Sequence, residues 1–494
     1  MGANLAALQV VVPLIGAPIC ALLGQGTRAW ALSLAVTWVS FALAIALLIE
    51  VTSNGTISYT MGGWMPPWGI EYRVDHLSAF VLLIVTGVAS AVIPFAYHSV
   101  KREIPAEREA LFYTAYLLTF TGLLGMTITG DAFNAFVFME ISSLSGYVLV
   151  GLGKNRRALY AAFQYLILGT IGATFFVIGV GLLYMVTGTL NMVDMHDRLV
   201  GQYENRAVIA GFAFLVVGLS LKLALFPLHL WLPNAYTYAP SVVSALLAAT
   251  ATKVSVYLLL RFIFTVFGVE FGFQAIPAGD IMMVLALAAA VTGSLVAIFQ
   301  DNIKRMLAYS SVAQLGYIVL GISFATENGL IGATVHLFNH ALMKGALFMT
   351  MGCVMYAIGG VTIADLRGLG HRMPLTMAAF VLAGLSMIGV PGTVGFVSKW
   401  YLVMAALEQG LWPGLGIAAV VLGSSLLAVI YIWRVVETAY FSEPAEPGPV
   451  AEAPWLMVAS TWALAGGCLV FGLWPSLTVG VARQAAQVLL GVAP

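Results

Sequence analysis

Residues 240–267 read PSVVSALLAATATKVSVYLLLRFIFTVF. The run exceeds the ~20 apolar residues that cross a hydrocarbon core roughly 30 Å thick. It is continuous rather than alternating apolar and polar, which argues against a barrel strand. Backbone groups in lipid must be satisfied within their own segment, so the run is read as a membrane-spanning helix. Lys253 lies about midway along it. A charge near the bilayer centre costs about 2.5–3.5 kcal/mol on insertion scales. A lysine at that depth therefore points to function.

Working outward, similar runs follow one another from Leu5 to Leu490. Of 494 residues, 61% are hydrophobic and 9% charged, against the roughly 25% charged of a soluble domain. There is too little polar surface to coat a water-soluble globule. We read an all-α integral membrane protein with about fourteen spans. They cover about 4–24, 30–51, 76–100, 110–130, 132–152, 158–188, 206–231, 240–267, 279–300, 303–324, 329–358, 374–407, 413–441 and 454–474. Residues 52–75, with Gly62, Gly63, Pro66 and Pro67, read as turns rather than a span. No segment outside the spans is long enough to be a domain. Met1–Leu23 lacks a basic leader and reads as a retained first helix rather than a signal sequence.

Lysine and arginine cluster in four short loops: Lys101, Arg102 and Arg108; Lys154, Arg156 and Arg157; Lys304 and Arg305; Arg367 and Arg372. All four fall on one side, which the positive-inside rule makes cytoplasmic, with both termini outside. Arg261 and Arg434 read as anchors at helix ends.

Two spans look broken. Pro227 and Pro233 interrupt the end of the seventh; Gly389, Pro391, Gly392 and Gly395 interrupt the twelfth. Proline removes an amide donor and clashes with the preceding turn, and irregular backbone in a membrane survives where it is buried in protein or lines a hydrated cavity. Two interruptions in corresponding places suggest inverted repeats of five helices, spans 4–8 and 9–13. The expected division is a three-helix segment at 1–109, repeats at 110–268 and 276–442, and a C-terminal helix at 453–494.

Besides Lys253, the spans hold Glu140, Lys222 just before the seventh-span break, and Lys399 after the twelfth-span break. His336, His340 and Lys344 are spaced i, i+4, i+8, which stacks them on one face of the eleventh span. Proton movement needs groups that exchange protons as their surroundings change. A carboxylate beside a buried lysine favours the charged amine, and its withdrawal favours release. Glu140 and Lys222 are therefore read as a switch, and the histidines as bridges between donors and acceptors. The expected order is Glu140/Lys222, Lys253, His336/His340 with Lys344, then Lys399. His229, just after the first break, stays a further candidate.

Bland readings compete with each assignment. Lys222 lies near enough to a helix end to snorkel to the headgroups. Lys253 and Lys344 could make structural hydrogen bonds, Glu140 could be a static partner, and a single buried histidine is more often a satisfied core residue. It is the set that favours translocation.

Other chemistries are excluded on residues. The net charge is zero and no basic aromatic stripe is present, so nothing points to nucleic acid. Cys20, Cys353 and Cys468 are scattered in apolar runs and form neither a disulfide framework nor a metal site. His336 and His340 lack an acidic third ligand, and no nucleotide loop, haem motif or iron–sulfur cluster motif occurs. We therefore expect no cofactor, no metal and no redox centre in the chain itself, and a drive from an ion gradient or from partner subunits.

GDAFNAFVFMEISSLSGYVLVG (130–151), LKLALFPLHLWLPNAYTYAPSVVSALLAATATKVSVY (221–257), DNIKRMLAYSSVAQLGYIVLG (301–321) and HLFNHALMKGALF (336–348) together resemble the antiporter-like subunits of respiratory complex I. They look closer still to the D-type subunit of Mrp-type multisubunit cation/proton antiporters and to related subunits of membrane-bound hydrogenases. The resemblance spans about residues 70–440. It implies fourteen helices, two inverted repeats and a proton path along the midplane. It also implies Glu140 and Lys222 as the coupling pair, Lys253 as the central relay and Lys399 as the lysine of the second half-channel. One departure is GVPGTVGFVSK at 389–399, which lacks the family's usual second proline and implies a different place for that break. The chain also ends without the long lateral helix of the largest complex I subunit.

The resemblance implies partners that are other membrane subunits, with protons, a monovalent cation such as sodium, and lipid as what the chain meets, in the plasma membrane of a prokaryote. The leading reading is an Mrp-type antiporter subunit, followed by a pump subunit of a redox-driven complex and, last, a non-transporting scaffold.

Overall fold

A computed structural model describes residues 2–444, 448 and 450–492; residues 1 and 493–494, the outer bounds of the expected terminal segments, lie outside it. Helices α1 (Gly2–Leu23) and α2 (Gly26–Asn54) lead into strands β1 (Ile57–Thr60) and β2 (Glu71–Val74). The stretch read as turns thus closes into an antiparallel hairpin, Ile57 opposite Val74 and Thr60 opposite Glu71. Helices α3 (His76–Glu103), α4 (Glu109–Ile128), α5 (Ala132–Gly151) and α6 (Arg156–Thr187) follow. Polar residues set several of their starts: the side chains of Asp75, Asp131 and Asn155 accept hydrogen bonds from the amides of Ser78, Asn134 and Arg157.

The loop after α6 holds a short helix, α7 (Met192–Leu199), capped by Asn191. Then come α8 (Arg206–Leu223), α9 (Trp231–Tyr238), α10 (Ser241–Ala249) and α11 (Ala251–Leu260), which widens into a π-helical turn over Arg261–Phe267. The seventh span, read over 206–231 with its end broken, stops at Leu223 and resumes at Trp231, so Pro227 lies in the break as expected, whereas Pro233 lies inside α9. One feature was not expected. The eighth span is interrupted at Thr250 (φ −126°, ψ −55°), where the sequence has neither proline nor glycine.

The remainder comprises α12 (Ala278–Ile298), α13 (Ile303–Ser323), α14 (Glu327–Ile358), the short α15 (Leu369–Arg372), α16 (Pro374–Ile388), α17 (Val394–Leu407), α18 (Leu411–Phe441), α19 (Trp455–Leu473) and α20 (Ser476–Leu489). Among the described residues, thirteen helices are long and apolar enough to cross a membrane, counting 241–267 as one. The two shorter apolar helices α16 and α17 are the halves of the stretch read as the twelfth span. The C-terminal segment, read as one helix, holds two, and α20 folds back onto α14 and α3.

Helices α3, α4, α10/α11, α13 and α14 are mostly buried, whereas the crossing stretches of α1, α2, α6, α12, α18 and α19 bury fewer than half their residues. The outer helices present apolar side chains to their surroundings, as lipid or partner helices require. Inside, close approach depends on small residues. A Cβ on Gly218 of α8 would lie 2.7 Å from the Gly172 carbonyl oxygen of α6. At the centre, α14 packs against α3, α10, α13, α16, α17, α19 and α20, so its polar face is sealed by protein on every side.

Candidate functional site

The first break ends α8 one residue after Lys222, which the last turn carries into the interior. Ala224 takes a left-handed conformation (φ 61°) and turns the chain out of the helix. The freed carbonyls find partners: Leu225 N donates to Ser220 O at 3.0 Å, and Trp231 Nε1 donates to Leu221 O at 2.9 Å. The indole stacks on Tyr165 of α6, which fixes the far side of the break. Lys222 is buried, and its Nζ donates to Ser143 Oγ of α5 at 2.7 Å. Glu140, one turn earlier on α5, places Oε1 3.7 Å from the same nitrogen. That is ion-pair distance but too long for a hydrogen bond, and Glu140 Oε1 has no hydrogen-bond partner. The geometry excludes snorkelling: the ammonium of Lys222 faces a serine and a carboxylate inside the bundle. Pro227 lies in the non-helical linker. His229 in the same linker is half-buried between the rings of Phe226 and Tyr309, with Nδ1 unpartnered, and no hydrogen bond joins it to Lys222.

Lys253 is fully buried just past the interruption at Thr250. Its Nζ reaches back to the Ala248 carbonyl, and lies 3.3 Å from Thr252 Oγ1. Tyr236 OH donates to the neighbouring Leu247 O at 3.1 Å. The break thus exposes carbonyl oxygens at the C-terminal end of α10, where the helix dipole favours a cation.

The eleventh-span face behaves as its spacing suggested, and His336, His340 and Lys344 of α14 are all fully buried. His336 is held at both nitrogens, by Ser398 Oγ at 2.7 Å and Gln314 Oε1 at 3.0 Å. The glutamine oxygen can only accept, so with that amide orientation assigned, Nε2 carries the proton and Nδ1 accepts from serine. His340 lies one turn on, its ring 6.1 Å from His336, and neither nitrogen has a hydrogen-bond partner. Lys344 stands one turn further along the same helix. Lys344 Nζ donates to Leu307 O at 2.9 Å and Ser310 Oγ at 2.5 Å on α13.

Lys399 lies on α17, next to the serine that holds His336. Its Nζ donates to the last carbonyls of α16, Met387 O at 3.0 Å and Ile388 O at 2.8 Å, and to Ser425 Oγ of α18 at 2.8 Å. The second break, with Pro391 between the two helices, therefore provides a carbonyl cradle for an ammonium group.

These groups form neighbourhoods rather than one bonded wire. Glu140 meets Lys222, and the Lys399 region meets His336 through Ser398. Helix α10, whose last turn Lys253 reaches back to, packs against α14, while no hydrogen bond or ion pair among the described residues joins Lys253 to His340, to Lys344 or to Lys222. The unpartnered, fully buried imidazole of His340 is the polar gap across which a relay would have to run.

Three features were missed or misread. Arg261, read as an end-of-helix anchor, is buried and paired with Asp75; its Nη2 also donates to Ser78 Oγ at 2.9 Å and its Nε to Tyr257 OH at 3.0 Å. Its position i+8 from Lys253, on the same helical face, was the available signal. Lys304, counted with a charged loop, is buried and donates to Ala239 O at 2.7 Å. The serines 143, 310, 398 and 425 that hold the charged groups carried no distinguishing mark in the sequence. Arg434 fits its reading, pairing at the rim with exposed Asp301 at 2.8 Å.

Residues 129–426 match the family described as NADH:quinone oxidoreductase/Mrp antiporter, transmembrane. The chain is 43% identical over 458 residues to the N subunit of the NADH-quinone oxidoreductase of Desulforudis audaxviator, covering 92% of this chain and 90% of that one. It is 31% identical over 404 residues to the D-type subunit of the Na(+)/H(+) antiporter of Alkalihalophilus pseudofirmus, covering 81% and 79%. Among solved structures, it superposes on a chain of the membrane-bound sulfane sulfur reductase, an archaeal respiratory membrane complex. The TM-score is 0.87 at 32% identity, covering 98% of this chain and 97% of that one.

Proposed function

This chain belongs to the NADH:quinone oxidoreductase/Mrp antiporter membrane family, and we propose that it moves protons across the membrane as one subunit of a larger complex. Glu140 and Lys222 form its coupling switch, Lys253, His340 and His336 its relay, Lys344 a side branch that tunes His340, and Lys399 the terminal lysine of the second half. The observation that carries this reading is the Glu140–Lys222 contact at 3.7 Å. At that distance the carboxylate and the ammonium attract each other, yet without a hydrogen bond between them the carboxylate is free to swing away. A lysine so released passes its proton inward, and buried water completes the steps between neighbourhoods.

The assembly we favour is redox-driven, because the 43% identity to a quinone oxidoreductase subunit covers nearly the whole chain. The sulfur reductase chain supports the same side. A second reading, an Mrp-type cation/proton antiporter, is supported by the 31% identity to an antiporter's D-type subunit; sodium or another monovalent cation would then be exchanged. Either assembly supplies the drive that this chain lacks motifs for. Two inverted repeats at 110–268 and 276–442, each broken once beside a lysine, and Lys/Arg-rich loops on the cytoplasmic side of a plasma membrane complete the proposal.

The test is proton movement in everted vesicles carrying the intact complex, driven by a redox substrate or a cation gradient. Glu140→Gln and Lys222→Ala should each abolish it while the complex still assembles. Undiminished movement in both variants would sink the switch.

A further inference from the structure

On the face opposite the Lys/Arg-rich loops lies a cavity of about 430 Å³, lined in part by Arg73, Asp75, Thr129, His196, Tyr257 and Arg261. Its floor is a polar cluster that the switch and relay do not use. Ser78 Oγ lies 3.2 Å from Asp75 Oδ1 and 3.0 Å from Tyr257 OH, while Arg261 donates to all three groups. Tyr257 OH itself donates to Thr127 O at 2.7 Å. The four residues come from two stretches of chain more than 170 positions apart, and all are buried. A buried ion pair with two hydroxyls costs desolvation that packing alone does not repay.

The helix geometry links this cluster to the centre of the bundle. Lys253, Tyr257 and Arg261 are spaced i, i+4, i+8, so they stack on one face of α11 and its π-helical extension. Each step rises about 6 Å along the axis; the Lys253 ammonium turns back to Ala248 O, so delivery to Tyr257 requires that side chain to swing along the helix and water to bridge the rest. We propose that Lys253, Tyr257, Ser78 and Asp75 form a proton pathway from the central lysine to this cavity, with Arg261 as its positioning charge. The pathway rests on the assignment of Lys253 as relay.

The proton count closes. The Lys253 ammonium gives a proton through water to the Tyr257 oxygen. Tyr257 passes its own hydroxyl proton to Ser78 Oγ, and Ser78 passes its own to the Asp75 carboxylate. Asp75 then releases one proton to the cavity and returns to its carboxylate, leaving Lys253 neutral for the next cycle. In the arrangement seen here the Tyr257 hydroxyl points to Thr127 O, so the ladder is off. Turning that hydroxyl to Ser78 switches it on, and Arg261 keeps both oxygens in place throughout.

The experiment compares Tyr257→Phe, Asp75→Asn and Asp75→Glu with Glu140→Gln, each in the intact complex in vesicles, with assembly measured on the same membranes. Removing one proton-transfer group should lower proton movement about tenfold for Asp75→Asn and about fivefold for Tyr257→Phe, with assembly unchanged. Asp75→Glu, which keeps a transferable proton, should recover at least about half of wild-type movement. Movement within about twofold of wild type in both Tyr257→Phe and Asp75→Asn, while Glu140→Gln is inactive, overturns this pathway alone. Normal movement in all of them, Glu140→Gln included, overturns the translocation reading instead. If Asp75→Asn fails to assemble, Tyr257→Phe decides. A loss in Asp75→Asn that Asp75→Glu does not repair marks a structural role and overturns the assignment.

Discussion

Lys222 and Lys399 both sit at a helix break, yet they are held by different chemistry. Lys222 lies in the last turn before its break and faces a carboxylate at 3.7 Å and one serine. Lys399 lies in the helix after its break and faces two main-chain carbonyls, the Ser425 hydroxyl and the Tyr317 ring at 5.1 Å. A side-chain carboxylate can be withdrawn by one rotamer change; carbonyls at the end of a helix are fixed dipoles, contributing about 0.3–2 kcal/mol toward a cation. In the function we propose, the first lysine has its proton affinity changed and the second keeps a constant one. In the proposed pathway that makes Lys222 the control point and Lys399 a landing place.

The largest effect expected from this contrast is on Lys399→Ala. It removes the landing place itself and should cut proton movement on the order of a hundredfold in assembled complex, measured in the same vesicles. Movement near wild type would mean the second half carries no obligatory lysine. Ser425→Asp sharpens the contrast by giving Lys399 the carboxylate it lacks. Ser425 Oγ is already 2.8 Å from Nζ, so the new charge arrives paired. A permanent pair should trap the proton and slow movement about tenfold. Unchanged movement would show that the fixed and movable partners are interchangeable.

Much of this was legible in the sequence, for identifiable reasons. The spans were legible because apolar runs of crossing length have no other fold in lipid, and the charges stood out because lipid penalises them. The breaks at Pro227 and Pro391 were legible because proline carries its own backbone constraint. Thr250 gave no such signal. Its break lies between helix-compatible residues, and the carbonyl of Ala248 that it frees is taken up by Lys253. Arg261 was misread because its partner Asp75 is 186 residues away, and a single sequence cannot show that two distant charges meet. Lys304 misled for a related reason. A lysine beside an arginine after a span looks like loop charge, although its ammonium reaches inward to a carbonyl 65 residues earlier.

A smaller effect tests what Lys253 contributes between the two control points. Arginine keeps the charge but does not readily lose a proton. Lys253→Arg should therefore leave a residual movement of about a fifth of wild type, well above an alanine at the same place. Full recovery with arginine would show that Lys253 supplies field alone.

The smallest effect should come from Ser143→Ala, which bears directly on the freedom of the Glu140–Lys222 pair. Ser143 Oγ is the only hydrogen-bond partner seen for Lys222 Nζ among the described residues, at 2.7 Å. One such bond contributes about 1 kcal/mol net. Without it the ammonium should close the remaining distance to Glu140, exchanging a neutral partner for a charged one. The pair then tightens rather than falls apart, and proton movement should slow only about threefold, with the drive needed for half-maximal movement rising. If Ser143→Ala were instead as inactive as Glu140→Gln, the serine would itself be passing the proton, and the switch would consist of three groups rather than two.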